Sequence, residues 1–208
     1  MKVLLINGSP NQYGCTYTAL KEVANTLEKH NINTEIFYLG KQAISGCTAC
    51  AYCKTNFKCC IDDKVNTVLS MLSSIDAIVV GSPVHYASAS GMVTSFLDRL
   101  FRSASAFNGF ANKLGASVVS CRRGGATATY DQINKYFAMN NVHIVASQYW
   151  NMVHGSNPEE VKQDLEGMQT MRILANNMAY LLKCIDAGKN AGVMLPQLEE
   201  KVMTNFIR

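Results

Sequence analysis

Five times along the chain a short apolar run of strand length gives way to a segment of different periodicity, and no other feature restricts the possible folds as much. KVLLIN (2–7) precedes YTALKEVANTLEKH (17–30), where Ala19, Leu20, Val23, Ala24 and Leu27 recur at helical spacing. NTEIFYL (33–39), DAIVVGSP (76–83), KLGASVVSC (113–121) and NVHIVASQYW (141–150) read as further strands. Helices are expected over 62–75, 91–101, 127–139 and 158–187, with Asp62 or Asp63 suited to capping the first of these. Strand-helix-strand units favour parallel pairing through right-handed crossovers. The chain therefore reads as an α/β domain: a doubly wound five-stranded parallel sheet of order 2-1-3-4-5 with helices on both faces. Residues 1–187 form this single domain, with a cysteine-rich insertion at 46–61. Residues 188–208 form a tail whose Met, Leu and Phe side chains are expected to dock on the body or on a partner subunit.

Composition agrees and narrows the partners. With 208 residues, 48% of them apolar and 16% charged, the chain has enough material for one sizeable core and none of the bias of a disordered segment. The net charge of +4 is mild and its basic residues are scattered, Arg122 and Arg123 being the only tight pair, so a nucleic-acid partner is not expected. No run approaches the roughly 18 consecutive apolar residues of a spanning helix. The opening apolar run ends after four residues in Asn-Gly-Ser-Pro and reads as a strand rather than a leader. A cytoplasmic protein without a membrane partner is the expectation.

In a doubly wound sheet the ligand crevice lies beyond the carboxyl ends of the strands, so the loops after strands one, three and four carry the chemistry. The first, GSPNQYGCT, offers the hydroxyls of Ser9, Thr16 and Thr18 ahead of a helix N-terminus, which presents unpaired N–H groups and a positive dipole end. It matches neither Gly-x-x-x-x-Gly-Lys-Ser/Thr nor Gly-x-Gly-x-x-Gly, and it contains no lysine or arginine. Neutral hydroxyls with helix amides suit a phosphate monoester such as that of FMN; plain turn and cap residues are the alternative. The third-strand loop, GSPVHYASAS, sets the flat side chains of His85 and Tyr86 beside Pro83, a wall against which a planar ring can lie. The fourth-strand loop, SCRRGGATATY, adds Gly124 and Gly125 for close backbone approach and two arginines able to meet negative charge.

GCTACAYCKTNFKCC (46–60) holds five of the eight cysteines. In a reducing compartment such a cluster points to metal or redox chemistry before disulfides. Cys47, Cys50, Cys53 and Cys59 give C-x2-C-x2-C-x5-C, the style of ferredoxin-type runs that wrap an iron-sulfur cluster, and a looped segment converges such sulfurs better than a regular helix. Zinc, a disulfide and unoccupied thiols are the other readings, and Cys60 competes with Cys59 for the fourth place.

INGSP, GCT, the cysteine segment running into CIDD, GSPVHYAS, SFLDR and RRGGATATYDQINKYF together resemble the iron-sulfur flavoprotein branch of the NADPH-dependent FMN reductase family, which has a flavodoxin-like fold. The resemblance covers residues 1 to about 187. It implies FMN with Ser9, Asn11, Gly14, Cys15, Thr16, Tyr17 and Thr18 around the phosphate. Pro83, Val84, His85 and Tyr86 would lie along the isoalloxazine, and Ser120, Arg122 and Gly124 near its pyrimidine side. Cys15 stands where the family often has Asn. The resemblance also implies a [4Fe-4S] cluster with Cys59 as fourth ligand, Cys60 packing into the core instead, and a homodimer or homotetramer. The expected function is an FMN-dependent oxidoreductase that takes electrons from NAD(P)H or a ferredoxin-like donor and passes them to an acceptor the residues do not identify. A non-enzymatic electron carrier and a zinc-stabilised binding module are the competing readings, and no side chain is required as a general acid or nucleophile.

Overall fold

A computed structural model describes residues 1–206. The strands and helices follow in the order β1 (Lys2–Asn7), α1 (Cys15–Lys29), β2 (Asn33–Tyr38), α2 (Cys53–Asn56), α3 (Lys64–Met71), β3 (Ala77–His85), β4 (Ser88–Ala89), α4 (Gly91–Ala104), β5 (Leu114–Cys121), α5 (Ala126–Met139), β6 (His143–Ile144), β7 (Met152–His154), α6 (Pro158–Gln163) and α7 (Leu165–Asn190). The sheet runs β2-β1-β3-β5-β6, and β7 also pairs with β5. Every pairing along this path is parallel, while β4 folds back antiparallel on the end of β3. Counting β6 and β7 as one interrupted fifth strand, this is the expected 2-1-3-4-5 order.

The apolar runs are continuous rather than alternating because both faces of the central strands are covered. Val3 and Leu5 of β1 and Val79 of β3 point toward α1 and α7, packing with Leu20, Val23, Leu27, Leu174 and Met178. Leu4, Ile6, Ile78 and Val80 point the other way, into a second cluster with Val68 of α3, Phe96 and Leu100 of α4, and Ile133 and Phe137 of α5. Side chains on a strand alternate faces, so one hydrophobic string feeds two cores.

Two elements depart from the sequence expectation. The strand expected over 141–150 is confined to His143–Ile144, and the sheet is resumed only at Met152–His154. Between them Ser147 donates to the Tyr149 carbonyl at 2.6 Å and lies 2.7 Å from Asn151 Oδ1, so local side-chain bonds curl the backbone away before it rejoins β5. The helix expected over 158–187 is two helices. Asp164 leaves helical geometry and caps α7 by accepting from the Gly167 N–H at 2.9 Å, while its other carboxylate oxygen accepts the His154 N–H at 2.7 Å. Beyond Asn190 the described residues form no helix or strand. Leu195 lies in a hollow with Met1 and Leu182, and Met203 beside Tyr136 and Met139, yet Met194, Val202, Met203 and Phe206 remain exposed.

The parallel register brings the chain after β1 against β3: the Gly8 N–H donates to the Gly81 carbonyl at 3.0 Å. A Cβ on Gly8 would sit 2.1 Å from Val93 Cγ2 and 2.8 Å from the Gly81 oxygen. Backbone cannot yield as a flexible side-chain end can. Gly8→Ala is expected to destabilise the protein by about 1–3 kcal/mol, the usual cost of overpacking, read as a lowered urea midpoint at unchanged slope.

Candidate functional site

The loops after β1, β3 and β5 meet at the carboxyl edge of the sheet through buried polar contacts. Ser9 is buried, takes a bond from its own N–H to Asn7 Oδ1 at 3.2 Å, and accepts the Asn11 N–H on Oγ at 3.1 Å. These two short bonds hold the loop in a tight turn. Gly14 is the N-cap of α1 and has no side chain to offer, so among the described residues no side chain caps this helix, and its first turn contains no acidic residue. The amides of Cys15, Thr16 and Tyr17 therefore begin a helix whose positive end is free for an anion. Thr18 Oγ1 turns back to the Gly14 carbonyl at 3.1 Å. Thr16 Oγ1 and Ser120 Oγ share a buried hydrogen bond of 2.7 Å, which joins the first loop to the fourth-strand loop.

The third-strand loop is braced from behind. Ser82 Oγ donates to the Pro83 carbonyl at 2.8 Å and accepts the Ser90 N–H at 3.1 Å, while Ser90 Oγ donates to the Gly8 carbonyl at 3.3 Å. Val84 and His85 pair with Ala89 and Ser88 in a two-residue hairpin whose corner, Tyr86 and Ala87, has positive φ. Tyr86 is fully exposed. Gly125 opens α5 at φ +91°, and a Cβ there would lie 2.5 Å from Ala87 Cα, so the third- and fourth-strand loops touch at a place only glycine allows. Arg122, Arg123 and Gly124 are exposed at this rim. The fourteen residues expected to surround FMN thus lie in the three loops or in the first turn of α1 and the last residues of β3 and β5, at one edge of the sheet.

Burial and the nearby Glu160 and Glu159 charges push the Cys15 pKa up, opposed by a backbone bond, so Cys15 is an uncharged thiol at neutral pH. Its Sγ faces the Gly155 carbonyl at 3.6 Å. Lys41, Tyr38, Ser156 and Asn157 form a groove with residues 11–15, bringing to the first loop a cation that its own sequence lacks. Nothing short of the tertiary fold places Lys41 there.

The cysteine segment is irregular except for the single turn α2, and Ala49, Ala51 and Phe57 take positive φ as it winds. Cys47, Cys50, Cys53, Cys59 and Cys60 all line one hollow against Arg99, Arg102 and Ser103 of α4. The Ser90 cap and Arg99 are nine residues apart, so the hollow lies about 14 Å down α4 from the crevice edge. The roles expected of the last two thiols are exchanged in burial. Cys59 is half-buried and packs on the second core cluster, whereas Cys60 is exposed with its sulfur 3.3 Å from that of Cys50. Cys60 does not fill the core position expected of it, because Asn66 pins the Cys59 backbone inward by bonds to both its N–H (2.8 Å) and its carbonyl (3.0 Å). A backbone bond at Tyr52 and the Cys60 thiol lower the Cys50 pKa, while the same sulfur contact raises that of Cys60, so Cys50 is the readier thiolate.

Arg99 is the residue that pattern reading missed. It is 1% exposed on the buried face of α4, three residues after Phe96, and a charge at such a position was the available signal. Its guanidinium grips Asp63 at 2.6 and 3.0 Å, the Ile61 carbonyl at 2.8 Å, the Ser45 carbonyl at 3.4 Å and, through Nε, the Cys59 sulfur at 3.2 Å. Burial alone would lower its pKa; the bonds to Asp63 and Cys59 raise it overall, so it carries a full charge. Five cysteines line the hollow beside the hydroxyls of Thr48 and Ser103, a sulfur-rich donor set that fits iron-sulfur chemistry in kind. Among the described residues no group of three or more His, Cys, Asp or Glu side chains is arranged to hold a metal ion.

Residues 1–157 match the model of the NADPH-dependent FMN reductase family. An iron-sulfur flavoprotein of Methanocaldococcus jannaschii is 31% identical over 192 residues, covering 89% of this chain and 99% of the relative. Another from Methanosarcina thermophila is 24% identical over 91% of this chain and all of the relative. Among solved structures, RosB with bound 8-demethyl-8-formylriboflavin-5′-phosphate superposes with a TM-score of 0.69 at 15% identity, over 100% of this chain and 94% of that one. A flavodoxin from the domain Archaea gives 0.58 at 17% identity, over 88% and 99%. At such identities these two likenesses speak for the fold, which is flavodoxin-like.

The bridge between Thr16 and Ser120 is open to a direct test. Thr16→Val keeps shape but strands the buried Ser120 hydroxyl, and is expected to cost about 1–3 kcal/mol. Adding Ser120→Ala should cost less than the sum of the two single changes, with the coupling read from urea melts of the four proteins in a double-mutant cycle.

Proposed function

Because the chain belongs to the NADPH-dependent FMN reductase family, in its iron-sulfur flavoprotein branch, we propose that it is an FMN-dependent oxidoreductase that draws electrons from NAD(P)H or a ferredoxin-like donor and delivers them to a small-molecule or protein acceptor. The observation that carries this reading is the uncapped N-terminus of α1 behind a loop of small hydroxyl residues, at the edge where the β3 and β5 loops converge.

Bound FMN supplies two-electron chemistry and a bound cluster single-electron transfer. The chain's part is to hold, orient and shield. Ser9, Asn11 and the residues from Gly14 to Thr18 would take the phosphate on backbone amides and hydroxyls, at the positive end of α1. Pro83 to Tyr86, stiffened by the Ser82 and Ser90 bonds, would form the wall for the ring, with His85 and Tyr86 exposed toward whatever exchanges electrons with it. Ser120, Arg122 and Gly124 would face the pyrimidine side, where a cation favours negative charge. Cys47, Cys50, Cys53 and Cys59 are the proposed cluster ligands. The placement of Cys60 beside Cys50 makes it the competing thiol.

An electron carrier that turns over no small substrate is the second reading, favoured by the same exposed ring wall. Stopped-flow mixing separates the carrier from the nicotinamide-dependent oxidoreductase: the latter expects reduction by NADH or NADPH within seconds, and fast reduction by ferredoxin with sluggish reduction by both nicotinamides would replace it with the carrier. Among the described residues no helix is long and apolar enough to cross a membrane; a cytoplasmic place is proposed on the free thiols. The exposed Met194, Val202 and Phe206 of the tail suggest burial against another copy. Light scattering above one chain's 22.8 kDa would support that assembly, and a clean monomer would refute it.

The phosphate site makes a sharper prediction. FMN should bind the cofactor-free protein at least about tenfold more tightly than riboflavin, or about 1.4 kcal/mol, by fluorescence-quenching titration. Equal affinities would mean that the α1 loop holds no phosphate.

A further inference from the structure

Resting on the cluster reading above, we propose that Arg99 is a positioning residue that sets how readily the cysteine-held cluster accepts an electron, acting through the sulfur of Cys59. The arrangement exceeds what anchoring the segment requires. Four of the five guanidinium bonds go to oxygen: two to the Asp63 carboxylate and one each to the carbonyls of Ile61 and Ser45, and these already tie both ends of the cysteine segment to α4. The remaining donor, Nε–H, is aimed at Cys59 Sγ at 3.2 Å. A fully buried cation directs its remaining donor to the sulfur of a proposed cluster ligand rather than to a carbonyl.

The consequence follows from charge. One-electron reduction adds a negative charge to the cluster and its sulfurs, with no bond made or broken and no proton moved. In the proposed reaction the electron comes from reduced flavin. A hydrogen bond and a positive charge at a ligand sulfur favour the reduced form, and hydrogen bonds to the sulfurs are among the protein's means of setting cluster potentials. Asp63 opposes the effect, since its carboxylate neutralises much of the guanidinium. Arg102 lines the same hollow, but its side chain is exposed and water screens it. Two arginines of equal formal charge should therefore act with unequal strength on one cluster.

The test is a mediated spectroelectrochemical titration of anaerobically purified protein, with iron and sulfide measured on each sample. Poised at the wild-type midpoint, Arg99→Gln should raise the ratio of oxidised to reduced cluster about tenfold, equivalent to 59 mV for a one-electron couple. Arg99→Lys, which keeps charge without the fork, should fall between the two. Asp63→Asn retains a good N-cap for α3 and should move the ratio the opposite way, toward reduced cluster; Arg102→Gln should move it far less than Arg99→Gln. Equal ratios in iron-loaded wild type and Arg99→Gln overturn the proposal while leaving the cluster reading intact, and so does an equal response to Arg102→Gln. Wild type without iron and sulfide overturns the cluster reading itself. If Arg99→Gln fails to retain iron, Arg99→Lys decides, since it keeps the charge and loses the Nε–H bond to Cys59: a shift toward oxidised cluster sustains the proposal and no shift overturns it.

Discussion

The burial of β1, β3 and β5 on both faces is the constraint from which the rest of the structure follows. Strands covered on both sides must be apolar throughout and are joined in parallel by helices, so every chain segment that leaves a strand does so at the same edge. Three loops are thereby delivered to one place, whatever their sequences. What those loops contain is then free to serve chemistry, and here it is small hydroxyl residues, glycine and exposed rings.

The same constraint explains why polar side chains appear inside. Thr16, Ser82, Ser90 and Ser120 are buried at the carboxyl edge, where backbone groups leaving the ladder need partners. Each hydroxyl links two loops or seals one. The crevice is thus held by hydrogen bonds between residues far apart in the chain.

The cysteine segment obeys another logic. It belongs to no layer, buries little of itself and winds through three positive-φ residues that are not glycine. Its fixed points lie at its inner side: Asn66 of α3 holding the Cys59 backbone, and Arg99 of α4 holding Asp63, Ile61, Ser45 and the Cys59 sulfur. A buried guanidinium is costly unless its donors are all used, and here the segment itself supplies the acceptors. Insertion and body are therefore interdependent.

How much of this was legible in advance depended on whether the signal was local. Strand runs, the helical face of α1 and the turn-rich segments that follow β1, end β3 and follow β5 could be read because hydrophobic period and turn residues are properties of neighbours in sequence. The interruption of the fifth strand was hidden, since Ser147 and Asn151 had to compete with a sheet partner before the outcome was known. So was the split at Asp164, whose carboxylate serves a helix start and the backbone of β7 together. The spacing of the cysteines announced a shared site, but not which of Cys59 and Cys60 turns inward. By itself, then, the sequence determined the layered α/β class, the three loops and the sulfur-rich segment, all of which follow from short-range pattern. Only the tertiary structure decided that Arg99 reaches Cys59, that Cys60 meets Cys50 and that Lys41 borders the first loop. Those contacts depend on how helices and strands distant in the chain are stacked, and no local period encodes that.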